Sequence, residues 1–154
     1  MKKIIYLFEE GSSVIILGII CFTVLAQVLS RFVLKTPLSW TEELSRYSLI
    51  WLTFIAASLA LRNDGHFTID VIGHKLKPIY KKALKIFILL IMLIYCAVLF
   101  VTGIELLPLT HLQESPALDI HMSLVYLSVP IGFALMIIHL IVNLIKSFRE
   151  LSGR

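Results

Sequence analysis

Four apolar stretches, near residues 11–30, 47–61, 86–104 and 122–145, run through a chain of only 154 residues. The first, third and fourth approach or exceed the roughly 20 residues that cross a hydrocarbon layer about 30 Å thick. With 58% hydrophobic and 16% charged residues and a mean hydropathy of +0.93, a soluble globule of 17.5 kDa could not present the polar exterior that water demands. Lipid is the expected solvent. The expected fold class is an all-α integral membrane protein with four transmembrane helices.

A net charge of +4 would suit nucleic acid if it formed a stripe on a soluble domain, but here the cations gather at the ends of the apolar stretches. They read as an orientation signal, with no nucleic-acid partner. Four spans put the N-terminus, the 62–85 segment and the C-terminus on one side, with Lys2, Lys3, Arg62, Lys75, Lys77, Lys81, Lys82, Lys85, Lys146, Arg149 and Arg154. The other side holds Arg31, Lys35 and Arg46, and the positive-inside rule then places both termini in the cytoplasm. The connection from Glu105 to His121 has no Lys or Arg, as expected of an exported loop. Lys2 and Lys3 before an apolar run resemble a signal peptide. However, Glu9 and Glu10 interrupt it and no small-x-small cleavage site follows, so the segment is read as a retained first span. Cys21 and Cys96 fall inside apolar stretches, where each acts as a small hydrophobe.

Local signals place the boundaries of a single domain, residues 1–154, with spans at about 11–30, 40–61, 80–104 and 116–146. Ser39-Trp40-Thr41-Glu42 after Pro37 is a capping-box pattern that starts a helix at Ser39. Glu42 and Glu43 lie four and three residues from Arg46, so the arginine can neutralise either. Trp40, Tyr47 and Trp51 suit an aromatic belt. Ala56 and Ala60 share a face and permit close approach of another helix. Asn63-Asp64-Gly65 is a turn cluster, and Ile69, Ile72 and Leu76 recur at helical spacing, which predicts a short amphipathic surface helix in the second connection. Pro78 can open the third helix. Ser115-Pro116 reads as a cap and first position for the fourth, with Asp119 in its second turn and a bend at Pro130.

Histidine 139 is the one histidine deep in a span, where an ionisable group is a functional candidate by default. The plainer role is an interhelical hydrogen bond or a contact with Asn143 one turn on, and Gln27 has the same plain role. A bis-histidine haem would need a second histidine at similar depth. No nucleophile–histidine pairing, metal-ligand spacing or broken helix pair of the transporter type stands out, so no catalysis, cofactor, metal or self-sufficient transport is expected.

The string Trp40-Thr41-Glu42-Glu43-Leu44-Ser45-Arg46-Tyr47 resembles the small membrane subunit of TRAP transporters, the tripartite ATP-independent periplasmic systems. Arg31, Trp51, the His66/Asp70 pair, Ser115-Pro116-Ala117-Leu118, Tyr126, Pro130 and Gly132 extend that resemblance over essentially the whole chain. Ala56-Ala57 stands where the family pattern leads one to expect a glycine. The resemblance implies a bacterial inner-membrane protein that scaffolds a large membrane subunit moving an organic acid with sodium. It also implies a periplasmic substrate-binding protein as a second partner. By that resemblance, Arg31, Trp40, Glu42, Glu43, Arg46, Trp51, Ala56, Ala60, His66, Asp70, Ser115 and Pro116 are candidates for subunit contact or interfacial anchoring against membrane lipids. The small subunit of a tripartite tricarboxylate carrier would share the topology, and a membrane redox subunit is a more distant alternative.

Overall fold

A computed structural model of the chain describes residues 2–36, 38–62 and 78–151. The surface helix expected between Phe67 and Leu76, and with it His66 and Asp70, lies outside the described residues. The described chain is helical: α1 (Lys2–Leu29), extended by a π-helical turn (Ser30–Leu34), then α2 (Ser39–Arg62), α3 (Pro78–His111), α4 (Met122–Tyr126) and α5 (Ser128–Leu151). Four of its segments are long and apolar enough to cross a membrane: Tyr6–Val33, Ser39–Arg62, Lys82–His111 and Met122–Arg149.

Polar side chains inside these helices are absorbed locally. The hydroxyls of Ser13, Thr23, Thr53, Thr102 and Thr110 donate to carbonyls three or four residues back. That satisfies them without water, as a hydrocarbon phase requires. Lys35 ends the π-helical turn in the left-handed region, φ 54°, where the chain can reverse toward α2.

The helices stand in an open row rather than a closed bundle. Among the described residues α1 packs on α2, α2 on α5 and α5 on α3, while the backbone of α1 approaches neither α3 nor α5. The apolar core therefore lies between the inner members of the row and α3: Cys96, Phe133, Met136 and Leu140, flanked by Phe54 and Leu93. Two glycines bring these helices together. A Cβ on Gly132 of α5 would sit 2.6 Å from Phe54 Cβ of α2, and one on Gly103 of α3 would sit 3.1 Å from Val129 Cγ1. The edge helices expose large apolar side chains, among them Phe8, Val14, Ile15 and Phe22 on α1 and Phe87 and Ile94 on α3. Water would penalise such an arrangement, whereas lipid tails solvate it.

Three expectations change. The third helix continues past Ile104 to His111 with Pro108 inside it, so the part of the connection from Glu105 to His111 is helical. The fourth span begins at Met122, not at residue 116. It is interrupted at Leu127, between α4 and α5, just before Pro130, whose missing N–H cannot serve the carbonyl of Tyr126. Tyr47 is buried and so leaves the aromatic belt to the exposed Trp40 and the half-buried Trp51.

Candidate functional site

Two glutamates anchor polar nodes at opposite ends of the helices. At the end where α2 begins, Glu43 points from the first turns of α2 into the connection after α3. Its carboxylate accepts the hydroxyl of Ser115 and the backbone N–H groups of Ala117 and Leu118, each at 3.2 Å. Ser115 Oγ in turn lies 3.3 Å from the Leu118 N–H and accepts from it. Glu43 is 8% and Ser115 1% exposed, so one buried carboxylate gathers three donors. Ser115 does cap a single turn, with Asp119 N–H donating to Ser115 O at 3.1 Å, but the turn stops at Asp119, whose φ of 51° cannot continue a right-handed helix. The connection closes on itself through Ser115 N–H to Ile120 O at 2.9 Å and Met122 N–H to Gln113 O at 2.8 Å. Asp119 adopts φ 51° between them.

Arg46 does not share this node. Its guanidinium donates to Glu42 Oε1 at 2.8 Å, with both side chains about 60% exposed (62% and 59%). The ambiguity over which glutamate pairs with Arg46 is thus resolved in favour of Glu42, leaving Glu43 for the connection. An exposed i,i+4 pair contributes little to stability. Beside the connection, the His111 and His121 rings lie 4.5 Å apart, and His111 Nδ1 is 3.3 Å from Ser123 Oγ.

At the other end Glu9, fully buried at 0% exposure, joins three helices. Ser58 of α2 donates its hydroxyl to Glu9 Oε1 at 2.7 Å. His139 Nε2 of α5 lies 2.9 and 3.1 Å from the two carboxylate oxygens, so we assign its proton to Nε2. Tyr6 stacks on the His139 ring at 6.1 Å, and the Arg62 guanidinium covers Tyr6 at 4.5 Å while donating to Glu10 at 2.6 Å. Asn143 donates to the Leu61 carbonyl at 3.0 Å, so it caps the end of α2 instead of meeting His139. Sequence reasoning placed Glu9 ahead of the first span. Its signal was the pairing of a near-terminal carboxylate with a lone deep histidine 130 residues away, which local spacing cannot reveal.

The remaining sequence candidates do not form a node. Arg31 is exposed in the π-helical turn, Trp40 is exposed in the first turn of α2 and Trp51 is half-buried. Ala56 and Ala60 are exposed, while Ala57 and Ser58 carry the internal packing. Pro116 is exposed beside the buried Ser115.

Four membrane-length apolar helices in an open row define a multi-pass membrane protein. Residues 20–150 match the family model of the DctQ component of tripartite ATP-independent periplasmic transporters, and the chain belongs to that family. It is 30% identical over 112 residues to the isethionate TRAP transporter permease protein DctMQ of Oleidesulfovibrio alaskensis, covering 71% of this chain and 18% of that protein. It is 24% identical over 153 residues to the sialic acid TRAP transporter small permease protein SiaQ of Vibrio cholerae, covering 99% and 88%. It is 31% identical over 77 residues to the sialic acid TRAP transporter permease protein SiaT of Haemophilus influenzae, covering 50% and 12%. The chain thus spans a small fraction of two of these relatives and most of the third. Family membership sets aside the tricarboxylate-carrier and redox alternatives.

Proposed function

We propose that this chain is the small membrane subunit of a sodium-driven TRAP transporter for an organic acid, in which it scaffolds a large transport subunit. It lies in the bacterial inner membrane with both termini cytoplasmic, as the distribution of Lys and Arg favours. The observation that carries the reading is the match of residues 20–150 to the DctQ component. The partial coverage of two longer permease proteins supports it: there a DctQ-like stretch is one part of a larger permease. An open row whose edge helices expose apolar faces offers surface to a neighbouring membrane subunit. On this reading Glu42 and Arg46 meet the large subunit at the outer rim, Ala56 and Ala60 face it at lipid depth, and the 105–121 connection contributes to the surface met by a periplasmic binding protein.

Reconstitution in vesicles tests it. Uptake should require this chain, a large subunit, a sodium gradient and added binding protein. Uptake by this chain alone, or by the complex without sodium, would refute it.

A further inference from the structure

We infer that Glu9 is a positioning residue: held by Ser58 and His139, it fixes the axial register and rotation of α1 against the rest of the row. The most enclosed positions of α1 and its π-helical extension are spaced by multiples of seven residues and are polar, with Glu9 at 0%, Thr23 at 1% and Ser30 at 2% exposure. Thr23 and Ser30 spend their hydroxyls on carbonyls of their own helix, Ile19 and Gln27, so neither directs α1 toward a neighbour. Most large apolar side chains of α1 face outward, with Ile16 half-buried beside Leu44 and Tyr47 of α2, and apolar contact between helices in lipid discriminates weakly because lipid tails are equally apolar. Direction must come from polar contacts, and among these enclosed positions Glu9 supplies it.

The reach of that carboxylate is what makes it decisive. Among the described residues the backbone of α1 does not approach α5, yet Glu9 passes over α2 at Ser58 to meet His139. A one-residue shift of α1 moves it about 1.5 Å along its axis and turns it about 100°, which removes the carboxylate from both partners and turns it to the exposed side, where Phe8 and Glu10 now lie. Replacing both members of such a pair with apolar residues can preserve stability while losing uniqueness of packing. The clasp therefore supplies specificity rather than net stability. Glu9 precedes the segment matched by the family model, whereas Ser58 and His139 lie within it.

The test uses the full chain in lipid nanodiscs, with spin labels on the exposed Cys21 of α1 and on Ile145→Cys of α5, and with Cys96→Ala in every variant. The unmodified clasp should give one narrow distance. Glu9→Leu combined with His139→Leu should insert and melt within a few degrees of the parent, yet at least double the width of that distance distribution. Glu9→Gln, which keeps the shape and the Ser58 bond, should restore most of the narrowing. A double variant that keeps the single narrow distance overturns the inference. Its consequence for assembly rests on the scaffold reading above: recovery of the large subunit should fall several-fold with the double variant. If the parent chain recovers no large subunit while its distance is narrow, the scaffold reading fails and the clasp stands.

Discussion

Gly132 of α5 lies directly against Phe54 of α2, close enough that a Cβ added there would stand 2.6 Å from the phenylalanine Cβ. That contact point is near the root of the Phe54 side chain, so rotation of the ring cannot relieve it. Gly132→Ala should displace α5 from α2 and cost about 1–3 kcal/mol by overpacking; Gly132→Leu should cost more. Thermal melting in detergent reads this directly, and Phe54→Ala, which keeps the Cβ that makes the 2.6 Å contact, should not restore Gly132→Ala, whereas Phe54→Gly should partly restore it while costing stability alone.

Glu43 holds Ser115, Ala117 and Leu118. Glu43→Ala leaves the buried Ser115 hydroxyl and the half-buried Ala117 N–H without this acceptor, at a cost of about 1–3 kcal/mol for the buried hydroxyl, while the Leu118 N–H keeps Ser115 Oγ. The loss should be local because the helices do not depend on it. Hydrogen exchange at the Ala117 amide should accelerate by at least ten-fold, and by less at Leu118, which keeps Ser115 Oγ, with little change at α5. Unchanged protection there would mean that the carboxylate does not organise the connection.

Arg46 behaves differently. Its exposed pair with Glu42 is worth about 0–1 kcal/mol, so Arg46→Glu should leave the fold and melting temperature nearly unchanged. On the proposed function it should lower recovery of the large subunit and sodium-driven uptake. Unaltered recovery and uptake would remove Arg46 from the interface.

Glu114 is exposed in the connection and its backbone bridges His121. Glu114→Lys should reduce uptake that depends on the binding protein without changing assembly in the membrane. Asp119 is a poorer probe, because its φ of 51° makes β-branched substitutions there strained for reasons unrelated to charge.

Apolar run length gave four membrane-length helices because it follows from hydrocarbon thickness, and Ser39 begins α2 as its pattern suggested. Glu9 escaped because charge was counted as an interruption, whereas a helix admits a carboxylate when a distant partner meets it. Ser115-Pro116 misled for a different reason: the capping bond forms, but the turn it starts ends at Asp119, whose positive φ a capping signature does not reveal. The Glu42–Arg46 pair was legible because both members lie on one helix, four residues apart. Ala56 and Ala60 were correctly placed on one face, but periodicity could not say whether that face points into the chain or away from it.

Affinity purification of this chain from its native membranes in mild detergent is the most direct test of the claim that it works by holding a larger neighbour. The expected result is a particle containing a second, larger, many-span polypeptide. A chain that emerges alone from those membranes, and that moves a solute unaided in vesicles, would contradict the account.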